Sequence, residues 1–528
     1  MTEPDGTPRS GRPLRRVLTP QGARSRWLLG AGAAVAGVVA AGAFPPVDLA
    51  VLGILGAAVG LWLMGEARTR RGGAAVAAGF ALGAFGALYL WSARFGLPAY
   101  LALVVSQALF LVPVGLVAAG RDRRTSWRWI ASVTGAWTLV EALRARLPLG
   151  GFEWGQLGNT AHGLPLLPAA AAVGTLGLTA LLVALAAALV TAARPVASAD
   201  RWHRWRVPTA VFGLTTVAVV AGSVPWTEPT GTMTVAAVQV DPVCPGRYAV
   251  DCPGERAELL TRHLAATAEL EDDIDLLLWG EGSLSGQPED VGQLVVDRAG
   301  PLPAPLLAGV TSSLGDGRFA NRNLLFDEHG ELLGGYDKRQ PVPFGEYVPA
   351  RRWLGDIGDV GRLVPSDMQR GDAPGQLPLP STTLGTVSSW EVTFSRLVRD
   401  TGRLGEVVVT LTTQSTYERA AVSDQLLRTA QLRAAELQRP VLVAATTGRS
   451  AAIDASGQRV AESRLYGGDV LVVQVGLTAG ETPFARWGDL PVVATAILLL
   501  VGGRAPGGRR GHRVRSTGVE ARSWCRAP

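Results

Sequence analysis

Lysine is all but missing from this chain. Of its 50 basic residues one is lysine, Lys338, and the others are arginine. Cysteine is scarce as well, with Cys244, Cys252 and Cys525 alone. The five histidines, His162, His203, His263, His329 and His512, are scattered. There is no Cys-x-x-Cys, no Cys/His cluster and no His-Glu-x-x-His, which removes the usual zinc chemistries. No metal or other cofactor is expected. The formal net charge of +6 is modest. It does not point to nucleic acid, because the arginines fall in short runs between apolar stretches and not along one phosphate-binding face. A single retained ammonium is informative in such a composition. An ammonium is a compact point charge suited to a tight pocket, whereas a guanidinium is a planar fork. Lys338 therefore marks a candidate site.

What the chain has in abundance is apolar sequence: 48% of it is hydrophobic, and the mean hydropathy is positive. Seven apolar segments of spanning length precede residue 226, at roughly 27–44, 48–65, 74–94, 99–119, 128–146, 165–193 and 207–224. An eighth runs over roughly 487–504. Arginines crowd the N-terminal arm and recur at Arg68, Arg70 and Arg71, at Arg121, Arg123 and Arg124, at Arg194, Arg201 and Arg204, and beyond Arg509. The intervening loops hold few. Every second loop is thus basic, which places both termini in the cytoplasm. The expected organisation is a cytoplasmic arm (1–26), a seven-helix transmembrane domain (27–225), an extracytoplasmic domain (226–486), an eighth transmembrane helix (487–504) and a basic cytoplasmic tail (505–528).

Between the seventh and eighth spans the pattern changes. Met233–Val240, Asp275–Trp279, Pro305–Val310, Thr386–Phe394, Val407–Thr413, Val441–Ala445, Ser450–Asp454 and Val470–Val475 read as strands. Glu255–Leu270 and Ser423–Leu437 read as helices, and Asn323–Tyr336 as a hairpin turning at His329-Gly330. Long apolar strands alternating with helices predict an α/β domain of about 250 residues. An oxidising compartment permits a bridge between Cys244 and Cys252; two free thiols are the alternative.

Three short motifs end expected strands: Trp279-Gly280-Glu281, Tyr336-Asp337-Lys338 and Ser388-Ser389-Trp390-Glu391. Reacting groups of α/β domains converge at strand ends, so these motifs belong together. Joined to Pro343-Phe344-Gly345-Glu346-Tyr347-Val348-Pro349, to Ala237-Val238-Gln239, to Gly151-Phe152-Glu153-Trp154 and to Arg433 through Pro440, they make the chain resemble the apolipoprotein N-acyltransferase family. That family is the membrane branch of the nitrilase (carbon–nitrogen hydrolase) superfamily.

The resemblance implies a multi-pass α-helical membrane domain carrying an extracytoplasmic nitrilase-like αββα sandwich in the cell membrane. It implies Glu281 as general base, Lys338 as the cation stabilising the oxyanion, and Glu346 as a supporting acid. The family nucleophile is a cysteine followed by an aromatic residue and glutamate; here that frame reads Ser389-Trp390-Glu391, with serine in place of sulfur. Gly280 replaces the proline that usually precedes the base. The implied reaction is ping-pong N-acylation of the amino-terminal diacylglyceryl-cysteine of apolipoproteins. A phospholipid is the acyl donor, and a diacylated apolipoprotein in the bilayer is the acceptor. A hydroxyl is a far poorer acid than a thiol. Two alternatives therefore stand beside this: an impaired paralogue that binds lipid or lipoprotein without transfer, and a membrane-tethered carbon–nitrogen hydrolase.

Overall fold

The computed structural model describes residues 23–120, 127–193, 203–244, 252, 254–271, 273–356, 359–417 and 421–504. Most of the N-terminal arm, the basic tail, Cys525 and the arginines at 121, 123, 124, 194 and 201 lie outside the described residues.

The first half is helical: α1 (Ala23–Ala41), α2 (Val51–Glu66), α3 (Arg70–Leu88), α4 (Leu97–Ala118), α5 (Trp127–Arg144), α6 (Ala170–Ala192) and α7 (His203–Gly222). Arg70–Leu88, Leu97–Ala118, Leu167–Ala192 and Trp205–Gly222 are long and apolar enough to cross a membrane, while the apolar helices Trp27–Ala41, Val51–Glu66 and Leu490–Arg504 are shorter. Helix α5 belongs to neither group: it carries Arg128 besides the buried pair Glu141 and Arg144. Helix–helix contact here relies on small residues. A Cβ added at Gly37 would lie 2.0 Å from the Phe80 carbonyl oxygen of α3, and one at Gly83 would lie 2.0 Å from that of Ala34. Backbones approach this closely only where side chains are minimal, as is common between helices in lipid.

The second half begins with β1 (Thr227–Gln239), α8 (Glu255–Thr267), β2 (Leu276–Ser285), α9 (Pro288–Ala299), β3 (Leu306–Gly315), β4 (Arg318–Phe326) and β5 (Leu332–Asp337). Short elements follow: α10 (Arg351–Leu354), α11 (Val360–Leu363), β6 (Asp367–Met368) and β7 (Gly375–Pro378). Then come β8 (Thr383–Ser388), α12 (Ser395–Gly402), β9 (Val407–Thr412), α13 (Val422–Leu437), β10 (Val441–Ala445), β11 (Ala451–Ile453), β12 (Arg459–Glu462), β13 (Asp469–Gly480), α14 (Pro483–Trp487) and α15 (Leu490–Arg504). One sheet runs β13-β1-β2-β3-β4-β5, with β6 on β4; the other runs β12-β11-β10-β9-β8-β7. Strands β1, β2 and β3 are parallel, as are β8, β9 and β10. Strand β9, Val-Val-Val-Thr-Leu-Thr, is buried along its whole length, as a central parallel strand must be.

The sheets pack face to face through Val235, Leu276, Leu307, Val409 and Leu442. Helices α8 and α9 cover the outer face of the first sheet. Helices α12 and α13 cover the second and also rest on the membrane helices. The layers are therefore αββα with the helical bundle beneath. Cys244 and Cys252 are joined in a disulfide, which resolves the open choice between bridge and free thiols.

Two expected strand ends are corrected. Trp279-Gly280-Glu281 does not end its strand: β2 runs on to Ser285, with a shift in its pairing to β3 between Trp279 and Leu284. Thr386–Phe394 does not continue as strand past Ser388; residues Ser389–Thr393 form a short 3-10 turn instead. The cause is the Glu391 carboxylate, which turns back and accepts the N–H of Ser388 at 2.8 Å.

The α/β half sits on one end of the bundle. Gln425 of α13 donates to the Pro45 carbonyl at 3.0 Å, and Arg428 pairs with Asp48, both in the α1–α2 connection. Helix α6 breaks at Gly174, whose φ is +64°, and the Phe484 ring of α14 fills the break. The Thr175 N–H freed there donates to Glu436 of α13 at 2.7 Å, and its hydroxyl donates to the same oxygen at 2.6 Å. A glutamate of the α/β half thus caps a bundle helix.

The two sheets approach closely in the middle of β2. A Cβ at Gly280 would stand 2.1 Å from the Thr446 backbone nitrogen, just past β10. Gly280→Val should therefore destabilise the α/β half by about 1–3 kcal/mol through overpacking. Thermal unfolding in detergent measures this, and an unchanged midpoint would contradict the contact.

Candidate active site

Lys338 follows directly on β5. Its N–H donates to the Asn321 carbonyl at 2.9 Å, and its own carbonyl accepts from Gly371 at 2.9 Å, so the backbone is fixed on both sides. The side chain is 1% exposed. Its Nζ donates to Glu281 Oε1 at 2.9 Å and to Glu346 Oε1 at 2.7 Å. An ammonium has three donors, so one remains. Glu346 is itself held by Asn321 Nδ2 at 2.7 Å and by the Val342 N–H at 2.8 Å. The Glu281 backbone carbonyl accepts from Thr446 Oγ1 at 2.9 Å, which ties the middle of β2 to the residue after β10. Among the described residues its carboxylate has no partner besides Lys338.

Glu391 organises the other wall. One of its oxygens accepts the N–H groups of Arg339 and Gln340, both at 2.7 Å. The other accepts the Tyr336 hydroxyl at 2.7 Å and the Ser388 N–H at 2.8 Å. Trp390 Nε1 adds a bond to the Gln340 carbonyl at 2.6 Å. Asn323 Nδ2 reaches Thr386 Oγ1 at 2.8 Å and the Val387 carbonyl at 3.0 Å. The segment on either side of Lys338 is thus sewn to the segment that presents Ser389.

Ser389 is partly exposed and has a φ of +55°. A serine in the left-handed region is strained, and such strain clusters at reactive turns. Strand, strained residue, turn and helix α12 follow in immediate succession, which lifts the side chain off the sheet end.

Burial works against a charged Lys338, but Glu281 and Glu346 together outweigh it and raise its pKa above the ordinary lysine value. The ammonium is therefore retained throughout the neutral range. Burial pushes Glu346 upward, and Lys338 pulls it part of the way back. Burial likewise raises Glu391, against the pull of Lys338 and of the donors Tyr336, Ser388 and Gln340.

An aromatic wall leads from this cluster into the helical half. Trp390 lies 6.2 Å from Phe152 between ring centres, Phe152 stacks with Trp154, and Trp154 stacks on Trp91 at 5.1 Å. Tyr417 meets Trp91 edge-on at 5.5 Å, and its phenol is pushed up to about 12 by burial. Glu153 reaches across to accept the Ser395 N–H at 2.8 Å, at the start of α12. Arg144 holds the intervening loop through the carbonyls of Phe152 at 2.8 Å and Trp154 at 2.9 Å.

Glu281, Lys338 and Glu346 are thus in direct contact, and Ser389 is joined to them through Glu391. Sequence reasoning gave no part to Asn321, Asn323, Tyr417 or Trp91. They lie outside the motifs, and their contacts depend on pairing between segments far apart in the chain. Glu391 stood inside a motif, but its four donors are visible only in the fold.

Two family models match: apolipoprotein N-acyltransferase N-terminal domain over residues 36–188, and carbon-nitrogen hydrolase over residues 234–482. Curated proteins named apolipoprotein N-acyltransferase are similar over most of their length. That of Nitrosomonas europaea is 29% identical over 87% of this chain and 92% of its own. That of Mycolicibacterium smegmatis is 29% identical over 87% and 81%, and that of Caulobacter vibrioides 28% over 90% and 94%. Among solved structures, Saccharomyces cerevisiae Nit3, a member of the nitrilase superfamily, covers 47% of this chain and 91% of its own at 14% identity and TM-score 0.36.

Removing Lys338 would leave two carboxylates facing each other without a cation. Lys338→Met should cost about 3–5 kcal/mol at pH 8. The cost should shrink toward pH 5, because the stranded carboxylates then take up protons and lose their repulsion. Thermal unfolding of both proteins at the two pH values checks this; a pH-independent difference would contradict the paired-carboxylate site.

Proposed function

We propose that this chain, which belongs to the apolipoprotein N-acyltransferase family, acylates the amino-terminal diacylglyceryl-cysteine of apolipoproteins with a phospholipid as donor. The observation that carries this reading is the buried ammonium of Lys338 between Glu281 and Glu346, tied through Glu391 to the turn of the strained Ser389, with an aromatic wall that enters the helical half.

In the first half-reaction the Ser389 hydroxyl oxygen attacks the ester carbonyl of the phospholipid, and its proton passes to the Glu281 carboxylate. The negative charge that develops on the carbonyl oxygen is met by the remaining Nζ donor of Lys338. Collapse breaks the bond to glycerol. The departing lysophospholipid oxygen takes the proton from Glu281, and the acyl chain stays on Ser389 as an ester. In the second half-reaction the lipoprotein amine attacks that ester and Glu281 accepts an amine proton. The amide forms, and the proton returns to the Ser389 oxygen. Glu346 holds the ammonium in place and balances its charge.

Serine is a weaker acid than cysteine, and its ester is less reactive toward amines than a thioester. The positive φ of Ser389 speaks for a reactive role, since an inert residue would gain nothing from the strain. Ser389→Cys should raise transfer, and Ser389→Ala should abolish it. The assay is complementation of a strain lacking the family enzyme, read by the mass of the lipoprotein N-terminus. Equal, null transfer by wild type and Ser389→Cys would favour the impaired paralogue.

The α/β half is proposed to lie outside the cytoplasm. It rests on the bundle end that carries the charge-poor connections, and the arginines there are matched: Arg144 pairs with Glu141 at 2.7 Å and Arg146 with Asp489 at 3.0 Å. Arg68 and Arg70, where α2 passes into α3, belong to the other end. Reporter fusions within 226–486 should be active only in the extracytoplasmic form, and cytoplasmic activity there would reverse the orientation.

A further inference from the structure

A cavity of about 550 Å³ opens where α5, α12, α14 and α15 meet. One wall is apolar, built from Leu143 and Leu147 at the end of α5 and from Leu490 and Val493 at the start of α15. Leu147 is 53% exposed and Leu490 77%. The rim is cationic, with Arg146, Arg396 and Arg399. Arg146 is paired with Asp489 and Arg399 with Asp400, both at 3.0 Å, which leaves Arg396 as the rim arginine without an ion pair among the described residues.

Among the described residues Arg396 is hydrogen-bonded to no carboxylate. It donates from Nη2 to the carbonyl of Gly150 and to Gln340 Oε1, both at 3.2 Å. Burial lowers its pKa, and the nearby charges of Arg339, Arg146 and Arg370 add to that, against the opposing pull of Glu153. Arg399 gives one donor to Asp400 at 3.0 Å, while its Nε is buried without a partner. Its guanidinium lies over Gly488, where φ is +57° and a Cβ would stand 1.8 Å from Nη1. The absence of a side chain at Gly488 is what lets Arg399 lie along the cavity.

Crowded guanidiniums with spare donors call for an anion with several oxygens, and a planar fork matches a phosphodiester. The adjoining wall calls for hydrocarbon. We propose that this cavity binds an anionic phospholipid, with its phosphodiester on Arg396 and Arg399 and its acyl chains along α5 and α15. The site is built from residues other than Glu281, Lys338, Glu346 and Ser389, and its occupation does not depend on acyl transfer.

Native mass spectrometry of the full chain, released from mixed micelles of phosphatidylglycerol and phosphatidylcholine, tests this. Wild type should retain phosphatidylglycerol with a preference of about tenfold, and Arg396→Gln/Arg399→Gln should lose most of it. Arg396→Lys/Arg399→Lys should fall between, because it keeps the charge and loses the fork. No preference in wild type, or an undiminished one in the glutamine pair, would overturn the proposal. Should the glutamine pair not fold, competition on wild type decides. Glycerophosphoglycerol, the headgroup without chains, should fail to displace the lipid at equal concentration; equal displacement would show a free-anion site and contradict a lipid one.

Discussion

The site depends on one buried cation held between two buried carboxylates. Lys338 is nearly inaccessible, and an unpaired ammonium there would be prohibitively costly. Glu281 and Glu346 make it tolerable, and the ammonium in turn makes their own burial tolerable. The three charges come from β2, from the residue after β5 and from the loop beyond it. Their pairing therefore fixes the relative positions of segments 57 residues apart in the chain. A guanidinium is larger and planar and could not sit between these two oxygens in the same way. This explains why the one lysine of an arginine-writing chain stands here.

A second buried carboxylate carries the geometry outward. Glu391 binds four donors, two of them backbone N–H groups immediately after Lys338 and one the N–H before Ser389. The cation and the strained serine are thereby parts of one rigid unit. Two glutamates then join the halves of the molecule: Glu153 from the helical half caps α12, and Glu436 from the α/β half caps the broken helix α6. Burial raises the Glu436 carboxyl to about 7, so it is poised to carry a proton below neutrality. The reciprocal caps place the sandwich on the bundle with the aromatic wall between them.

Much of this was legible in the sequence. The α/β strands were visible because central parallel strands are continuous apolar runs. The lone lysine and the acidic residues near it stood in compact motifs that keep their neighbours in sequence. The end of β8 was not legible, since Ser389-Trp390-Glu391-Val392 has the apolar content of a strand; the turn comes from Glu391 folding back on Ser388. Nor could sequence show Gly174 as a helix break, because glycines are common in all these helices and only Phe484 and Glu436 reveal its use. Asn323 and Tyr417 were silent for the same reason, their partners being supplied by tertiary pairing.

The proposed mechanism turns on the hydroxyl of Ser389, whose strained turn is tied by Glu391 to the segment that carries Lys338. The direct measurement is intact-protein mass spectrometry after incubation in detergent with a phospholipid of defined acyl chain. A mass increase of one acyl group, mapped to Ser389 and labile to hydroxylamine, is the expected result. An unmodified protein under conditions that acylate a cysteine-bearing relative would contradict it.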